Sequence, residues 1–343
     1  RVQATVDLKS LHVPFWDRLV DPVPRGSRQH IFASVQADEE VTLLLGRAKA
    51  PPALESWHVS ELLSIPEHVI DLGLGDLDGD GRAELVVLQE DRIEVFELAE
   101  GRARKLASHQ VGSIPEAAIR TRDPNGSLLV VDFNRDGQFE VFYKLFNRRY
   151  GQVLTWTGAY LKEVRRLDSV PICLLHRDKR PVVVYARPET GTNRYGPEIE
   201  VADINSARGK TYRLPSAFLS FRCWQGREGD AVAIASSAGG RLIRLDSGFK
   251  PQKVDEPAGV GLAVLDLDMD SVPEMVLSDP VWPGEPDSVR VLSGDQTVWR
   301  SRDVIGGIVS VAGGDLDGRG KVQAVLAAVD PGGQSSRIYL LGR

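Results

Sequence analysis

Cysteine is nearly absent from this chain: Cys173 and Cys223 are the only two in 343 residues. That excludes a small disulfide-dense scaffold and leaves either one bridge or two thiols. Long apolar runs are missing too. The longest are strand-sized, VTLLL at 41–45 and PVVVY at 181–185, against the roughly 18 residues a membrane-spanning helix needs. There is no excess of positive charge. The 42 Lys and Arg face 48 Asp and Glu, for a formal net charge of −6, which disfavours binding to nucleic-acid phosphates. The six histidines (His12, His30, His58, His68, His109 and His176) form no HxH or HExxH cluster, and no GxSxG, Walker loop or GxGxxG before a helix occurs. An enzyme is not expected. Helical periodicity is also scarce, with SWHVSELL at 56–63 the best weak candidate.

What is present is strand signal: short runs of Val, Leu, Ile and Phe broken by Gly, Pro, Asp and Asn. An internal repeat organises them. DLDGDGRAELVVL from Asp76 returns as DFNRDGQFEVFYK from Asp132, DLDMDSVPEMVLS from Asp266 and DLDGRGKVQAVLA from Asp315. Weaker copies without the acids begin at Val23, Cys173 and Cys223. Intervals of 41 to 56 residues match the length of a four-stranded propeller blade. The expected fold is all-β: one seven-bladed propeller domain over 1–343, with blades near 10–65, 66–112, 113–167, 168–214, 215–256, 257–303 and 304–343. The last unit is short, ending in RIYLLGR, and would leave an open sheet edge. Residues 2–8 (VQATVDL) are expected to fill it and close the ring.

The acidic segments read as oxygen-rich cation loops. In the first, Asp76, Asp78 and Asp80 occupy positions one, three and five, the carbonyl of Arg82 position seven and Glu84 position nine, with Gly81 permitting the turn. Asp132, Asn134, Asp136, Gln138 and Glu140 form a second set, and Asp266, Asp268, Asp270, Val272 and Glu274 a third, in which Ser271 replaces the glycine. Hard oxygen donors without His or Cys suit Ca²⁺. The flanking strands, and Val87, Tyr143 and Leu277 at position twelve, rule out an EF-hand, which needs a glutamate there and two helices. The fourth copy carries Arg319 at position five and Gln323 at position nine, so an internal positive charge stands where the cation would.

This repeat resembles the FG-GAP/VCBS family, whose cation-bearing blades also build the propellers of integrin α-subunits. The resemblance implies a seven-bladed propeller with about three structural Ca²⁺ ions, held in loops between the first and second strands of a blade. It is specific in three loops, damaged in one and absent in three. The family is functionally broad, so the resemblance fixes no activity.

The opposite loops vary more. FNRRYGQ (146–152) presents Arg148, Arg149 and Tyr150; RPETGTNRYGPE (187–198) presents Arg194 and Tyr195; DPVWPGEPD (279–287) presents Trp282. Arginines and aromatics on long loops are expected to form a partner-binding face. The expected function is a calcium-stabilised protein-interaction or assembly module; the alternative is a glycan-binding or polysaccharide-processing propeller. Weak calcium sites fit a calcium-rich compartment, with Kd roughly 10⁻⁴–10⁻³ M. The chain opens on Arg1 rather than Met, and a removed upstream segment is expected, whether a signal peptide, a further domain or an artificial cut, among which the sequence does not choose. A periplasmic, cell-surface or secreted location follows. Cys173 and Cys223 share one register position in adjacent units; two buried thiols are the favoured reading and a disulfide the alternative.

Overall fold

The computed structural model describes residues 57–342 apart from 100–101, 113–124, 135, 178–179, 190–191, 193, 204–208, 226–230, 253–255, 282–284 and 303. The chain divides between Ala50 and Pro51, and every described residue belongs to the second unit. All regular secondary structure among them is β, and no helix is long and apolar enough to cross a membrane. The strands follow β1 (His58–Ile65) as consecutive antiparallel meanders. Sheet I holds β2 (Val69–Gly75), β3 (Glu84–Gln89), β4 (Arg92–Ala99) and β5 (Arg102–Gln110). Sheet II holds β6 (Gly126–Val131), β7 (Glu140–Leu145), β8 (Gly151–Trp156) and β9 (Leu161–Leu167). Sheet III holds β10 (Val170–Arg177), β11 (Arg180–Pro188), β12 (Tyr195–Asp203) and β13 (Lys210–Arg213), and sheet IV β14 (Phe218–Gln225), β15 (Ala231–Ser237), β16 (Leu242–Leu245) and β17 (Pro251–Gln252). A single pairing, Tyr195 with Phe218, bridges III to IV. Sheet V holds β18 (Leu262–Leu265), β19 (Glu274–Ser278), β20 (Val289–Ser293) and β21 (Gln296–Arg300).

The last sheet, VI, corrects two expectations. It holds β22 (Gly307–Gly314), β23 (Gln323–Val329) and β24 (Ser336–Gly342), and its fourth strand is β1, with His58 opposite Gly342 and Ile65 opposite Ser336. The strand on the open edge is therefore 58–65, while residues 2–8 lie outside the described residues. SWHVSELL, the best helical candidate, is largely this strand. A bulge between Glu61 and Leu63 breaks its alternation, so Val59, Leu62 and Leu63 fall at a helix-like spacing that period-two reading cannot detect. Six four-stranded units thus occupy the described residues where seven blades were expected. Most of the first expected blade, 10–65, lies outside them, and its final strand belongs to sheet VI.

The first strands lie side by side: β2 with β6, β6 with β10, β10 with β14, β14 with β18, β18 with β22 and β22 with β2. Close approach needs small residues. A Cβ on Gly73 of β2 would stand 2.5 Å from Val130 Cγ2 on β6, inside contact distance. Bulges recur near the starts of four of these strands, at Val69/Asp71, Pro171/Cys173, Phe218/Ser220 and Ile308/Ser310, where they re-aim the following side chains.

One consequence is a buried polar hub. Asp71 Oδ1 accepts from the Leu72 N–H at 2.9 Å, the Ser310 hydroxyl at 2.6 Å and Arg222 Nη2 at 2.9 Å, while Oδ2 accepts from the Leu128 N–H at 2.8 Å. One carboxylate therefore ties β2, β6, β14 and β22, and its donors satisfy a charge that burial would otherwise penalise.

Apolar packing fills the spaces between sheets. Leu72, Leu85 and Val87 of sheet I meet Val325, Ala327 and Ile338 of sheet VI, and Ile70, Val86 and Ile93 meet Leu128, Val141 and Leu154 of sheet II. Similar clusters join III to IV, IV to V and V to VI. Each fully buried Leu, Ile or Phe contributes about 1.5–3 kcal/mol.

The favoured reading of the cysteines is also corrected. Cys173 and Cys223 form a disulfide between the adjacent strands β10 and β14, with Cα atoms 5.9 Å apart. The repeat register placed them on neighbouring first strands, and adjacency brought the backbones within bridging distance.

Candidate metal centres and partner face

Four acidic loops join first and second strands: β2 to β3, β6 to β7, β18 to β19 and β22 to β23. In the first, Asp76 folds the loop around itself. Its Oδ1 accepts from the N–H groups of Gly79 (2.7 Å) and Asp80 (3.1 Å), and its Oδ2 from Gly81 (2.8 Å). Asp78 accepts from the Asp80 N–H and Asp80 from the Arg82 N–H. Gly79 and Gly81 have φ of 81° and 87°, conformations glycine enters at little cost. Glu84 opens β3, is buried, and caps the loop by accepting the Leu77 N–H at 2.8 Å. Carboxylate oxygens of Asp76, Asp78 and Glu84 all lie within 4.8 Å of one another. Burial pushes Glu84 up to about 7, with Asp78, Asp80 and Asp76 adding and the Leu77 N–H opposing. A cation would relieve that repulsion.

The third loop repeats the plan. Asp266 Oδ2 accepts from Ser271 N–H, Asp268 from Asp270, Asp270 from Val272, and Glu274 from Leu267. Asp266, Asp268 and Glu274 form the second cluster within 4.8 Å. Asp266 Oδ1 is buried and accepts no hydrogen bond, and burial first, then the neighbouring aspartates, pushes Glu274 up to about 7. Met269 and Ser271 hold φ of 65° and 72°, so two side-chain-bearing residues accept the left-handed backbone that glycines take in the first loop.

The other two loops carry internal donors. In the second, Asp132 accepts from Asp136 and Gly137, Asp136 from Gln138, and Glu140 from Phe133. Asn134 Nδ2 donates to Asp136 at 2.9 Å and to Glu140 at 3.3 Å, placing an amide among the acids. In the fourth, Asp315 accepts from Arg319 and Gly320, and the Arg319 guanidinium stands 3.6 Å from Asp317. The first and fourth loops also meet, through Ala83 N–H to the Asp315 carbonyl at 2.8 Å.

The expected partner face comes apart in the structure. Arg148, Arg149 and Tyr150 are exposed on the β7–β8 turn, with the Arg149 guanidinium 5.0 Å from the Tyr150 ring centre. Arg194 is half-buried and paired with Glu189 at 2.7 Å. Tyr195 is not a surface residue. It is 3% exposed, stacks on Phe218 at 5.0 Å, meets Phe146 edge-on and opens β12 in the core of sheets III and IV. Its strand position buries the ring that a loop reading had exposed. Trp282 lies outside the described residues. The Asp71–Arg222–Ser310 hub was not anticipated, because its partners are 151 and 239 residues from Asp71 and no local spacing marks them.

Residues 76–143 match the model of an FG-GAP-like repeat, a span running from the first aspartate of the first loop into β7. No curated protein matches the chain. Among solved structures, a chain from the crystal structure of BBS1N in complex with ARL6DN, soaked with mercury, is 9% identical, with a TM-score of 0.51, covering 84% of this chain and 97% of that one. The same complex soaked with lead gives 10%, 0.49, 84% and 97%. At such identity the first likeness speaks for the fold alone, and that fold is β-propeller-like.

Proposed function

We propose that this chain is a calcium-stabilised, non-catalytic β-propeller that serves as a protein-interaction module outside the cytoplasm. The observation that carries the calcium reading is the convergence of carboxylates at positions one, three and nine in two separate loops. The donors fit: all are hard oxygens, and one of them, Asp266 Oδ1, is buried without a partner. Asp76, Asp78, Asp80 and Glu84 would hold one ion, with the Arg82 carbonyl; Asp266, Asp268, Asp270 and Glu274 would hold another, with the Val272 carbonyl. The set Asp132, Asn134, Asp136, Gln138 and Glu140 takes a third once Asn134 turns its oxygen inward, and binds more weakly for that reason. Arg319 serves the fourth loop in place of an ion. The ions hold strand pairs in register and stabilise only the folded state.

The same reading closes the six sheets into one ring of blades, with β22 against β2 and β1 completing the last blade. The disulfide supports an oxidising compartment. That the similar solved chain comes from a complex with a second protein supports an interaction role. Exposed Arg148, Arg149 and Tyr150 supply one anchor for such a partner.

Metal analysis after dialysis of the full chain against about 10 mM calcium, enough to fill sites with Kd of roughly 10⁻⁴–10⁻³ M, tests the ions. About three per chain are expected, and less than one would overturn the calcium reading. A photo-crosslinking residue at position 149, in the protein's own compartment, tests the partner. Adducts to one protein, lost in Arg148→Ala/Tyr150→Ala, are expected; an absence of protein adducts counts against this anchor.

A further inference from the structure

Five of the six contacts between neighbouring sheets are filled by a buried apolar cluster. The sixth, between sheets II and III, has no such cluster of its own among the described residues; Phe146 after β7 packs on Tyr195 at its edge. It holds an apolar groove of about 160 Å³ instead. Leu129, Phe142 and Val164 line one wall, and Leu174, Val183 and Tyr185 the other. The groove runs from the first strands β6 and β10 out to β9, where Val164 is 55% exposed. Its one acid, Glu140, is already held by the Phe133 N–H and the Asn134 amide. The opposite sign is exposed there: Arg165 lines the groove, and Lys162, three residues before it on the same strand, is exposed too.

We propose that this groove docks a partner protein through a short segment whose large apolar side chains enter between sheets II and III and whose Asp or Glu residues flank Arg165. Two features select that occupant. The volume falls below the roughly 300–1,000 Å³ of sites for free ligands of drug size, so it suits side chains delivered by a chain. The basic mouth on a protein of net charge −6 is locally complementary to an acidic flank. The inference rests on the protein-interaction reading and adds to it a second contact surface, separate from the β7–β8 turn.

A phage-displayed random peptide library panned on the full chain tests it. Enriched peptides should pair large apolar residues with neighbouring Asp or Glu. Their affinity should fall by about tenfold or more in Val164→Asp and in Arg165→Glu, both surface changes that leave the thermal melt intact, and in Leu174→Trp, which fills the groove. Arg102→Ala, an exposed change on β5 of sheet I, should bind as the parent chain does, and Arg148→Ala/Arg149→Ala reports whether the turn anchor is used instead. Enriched peptides that bind Val164→Asp and Arg165→Glu undiminished overturn the proposal, as does a basic rather than acidic flank. If binding depends on Arg148 and Arg149 instead, the groove falls and the interaction reading stands. If no peptide is enriched the groove falls as well, and the interaction reading rests on the crosslinking result.

Discussion

Replacing Asp71 by alanine removes the acceptor shared by four strands. The Leu128 N–H loses its partner in a buried setting, at a cost of about 1–3 kcal/mol. Arg222 loses its carboxylate, and breaking a buried pair costs about 3–5 kcal/mol. The second figure is reduced here, because the Arg222 side chain is 22% exposed and can rehydrate in part. A total near 4 kcal/mol is expected, or a drop of about 8 °C in Tm for a unit of this size, followed by circular dichroism. The double variant Asp71→Ala/Arg222→Ala removes the stranded charge and should recover about 2 kcal/mol of the loss. A single-variant loss below about 1 kcal/mol, or a double variant that is simply additive, would show that the hub does not brace the first strands.

Three further outcomes follow from features on other sheets. Calcium at about 10 mM should stabilise each occupied loop by about 1.5–3 kcal/mol against EDTA, reversibly, and Asp266→Ala should remove one loop's share; identical melts in calcium and EDTA, in protein shown by metal analysis to be calcium-free in EDTA, refute the sites. Reduction of the Cys173–Cys223 bridge, which spans 50 residues, should cost about 4 kcal/mol, read as a lower Tm with dithiothreitol. His68 is buried with Nδ1 unpartnered, and burial holds its pKa below the ordinary 6.5 despite the opposing Gly333 backbone bond. The unfolded chain therefore takes up a proton first, so this contribution is complete above pH 6.5 and is lost as pH falls toward the lowered folded value. His68→Gln should flatten that part of the pH–Tm profile.

Much of the sheet arrangement was legible because the acidic loops fix a frame. Once Asp76, Asp132, Asp266 and Asp315 are aligned, the following apolar runs become second strands, and β3, β7, β19 and β23 stand where that frame put them. Legibility ended where period two ended. The bulge at Leu62 disguised β1, and Tyr195, read as a loop residue, begins a strand and fills a core. The candidate ligands were visible as spacing, since the turn gathers residues one, three and nine by local geometry. The Asp71 hub was not, because its partners lie on strands far apart in sequence, and the II–III groove was not, because a gap in packing between two sheets leaves no mark in either sheet's alternation.

The pairing of His58 with Gly342 sets a schedule for biosynthesis. At roughly 5–20 residues per second, β1 leaves the ribosome roughly 15–60 s before β24 can meet it. Throughout that interval its partly apolar face and unpaired edge stand open to other chains. The strand that completes sheet VI is thus the earliest described element to be made and the last to find its place, and any holding factor that works on the nascent chain has its longest task there.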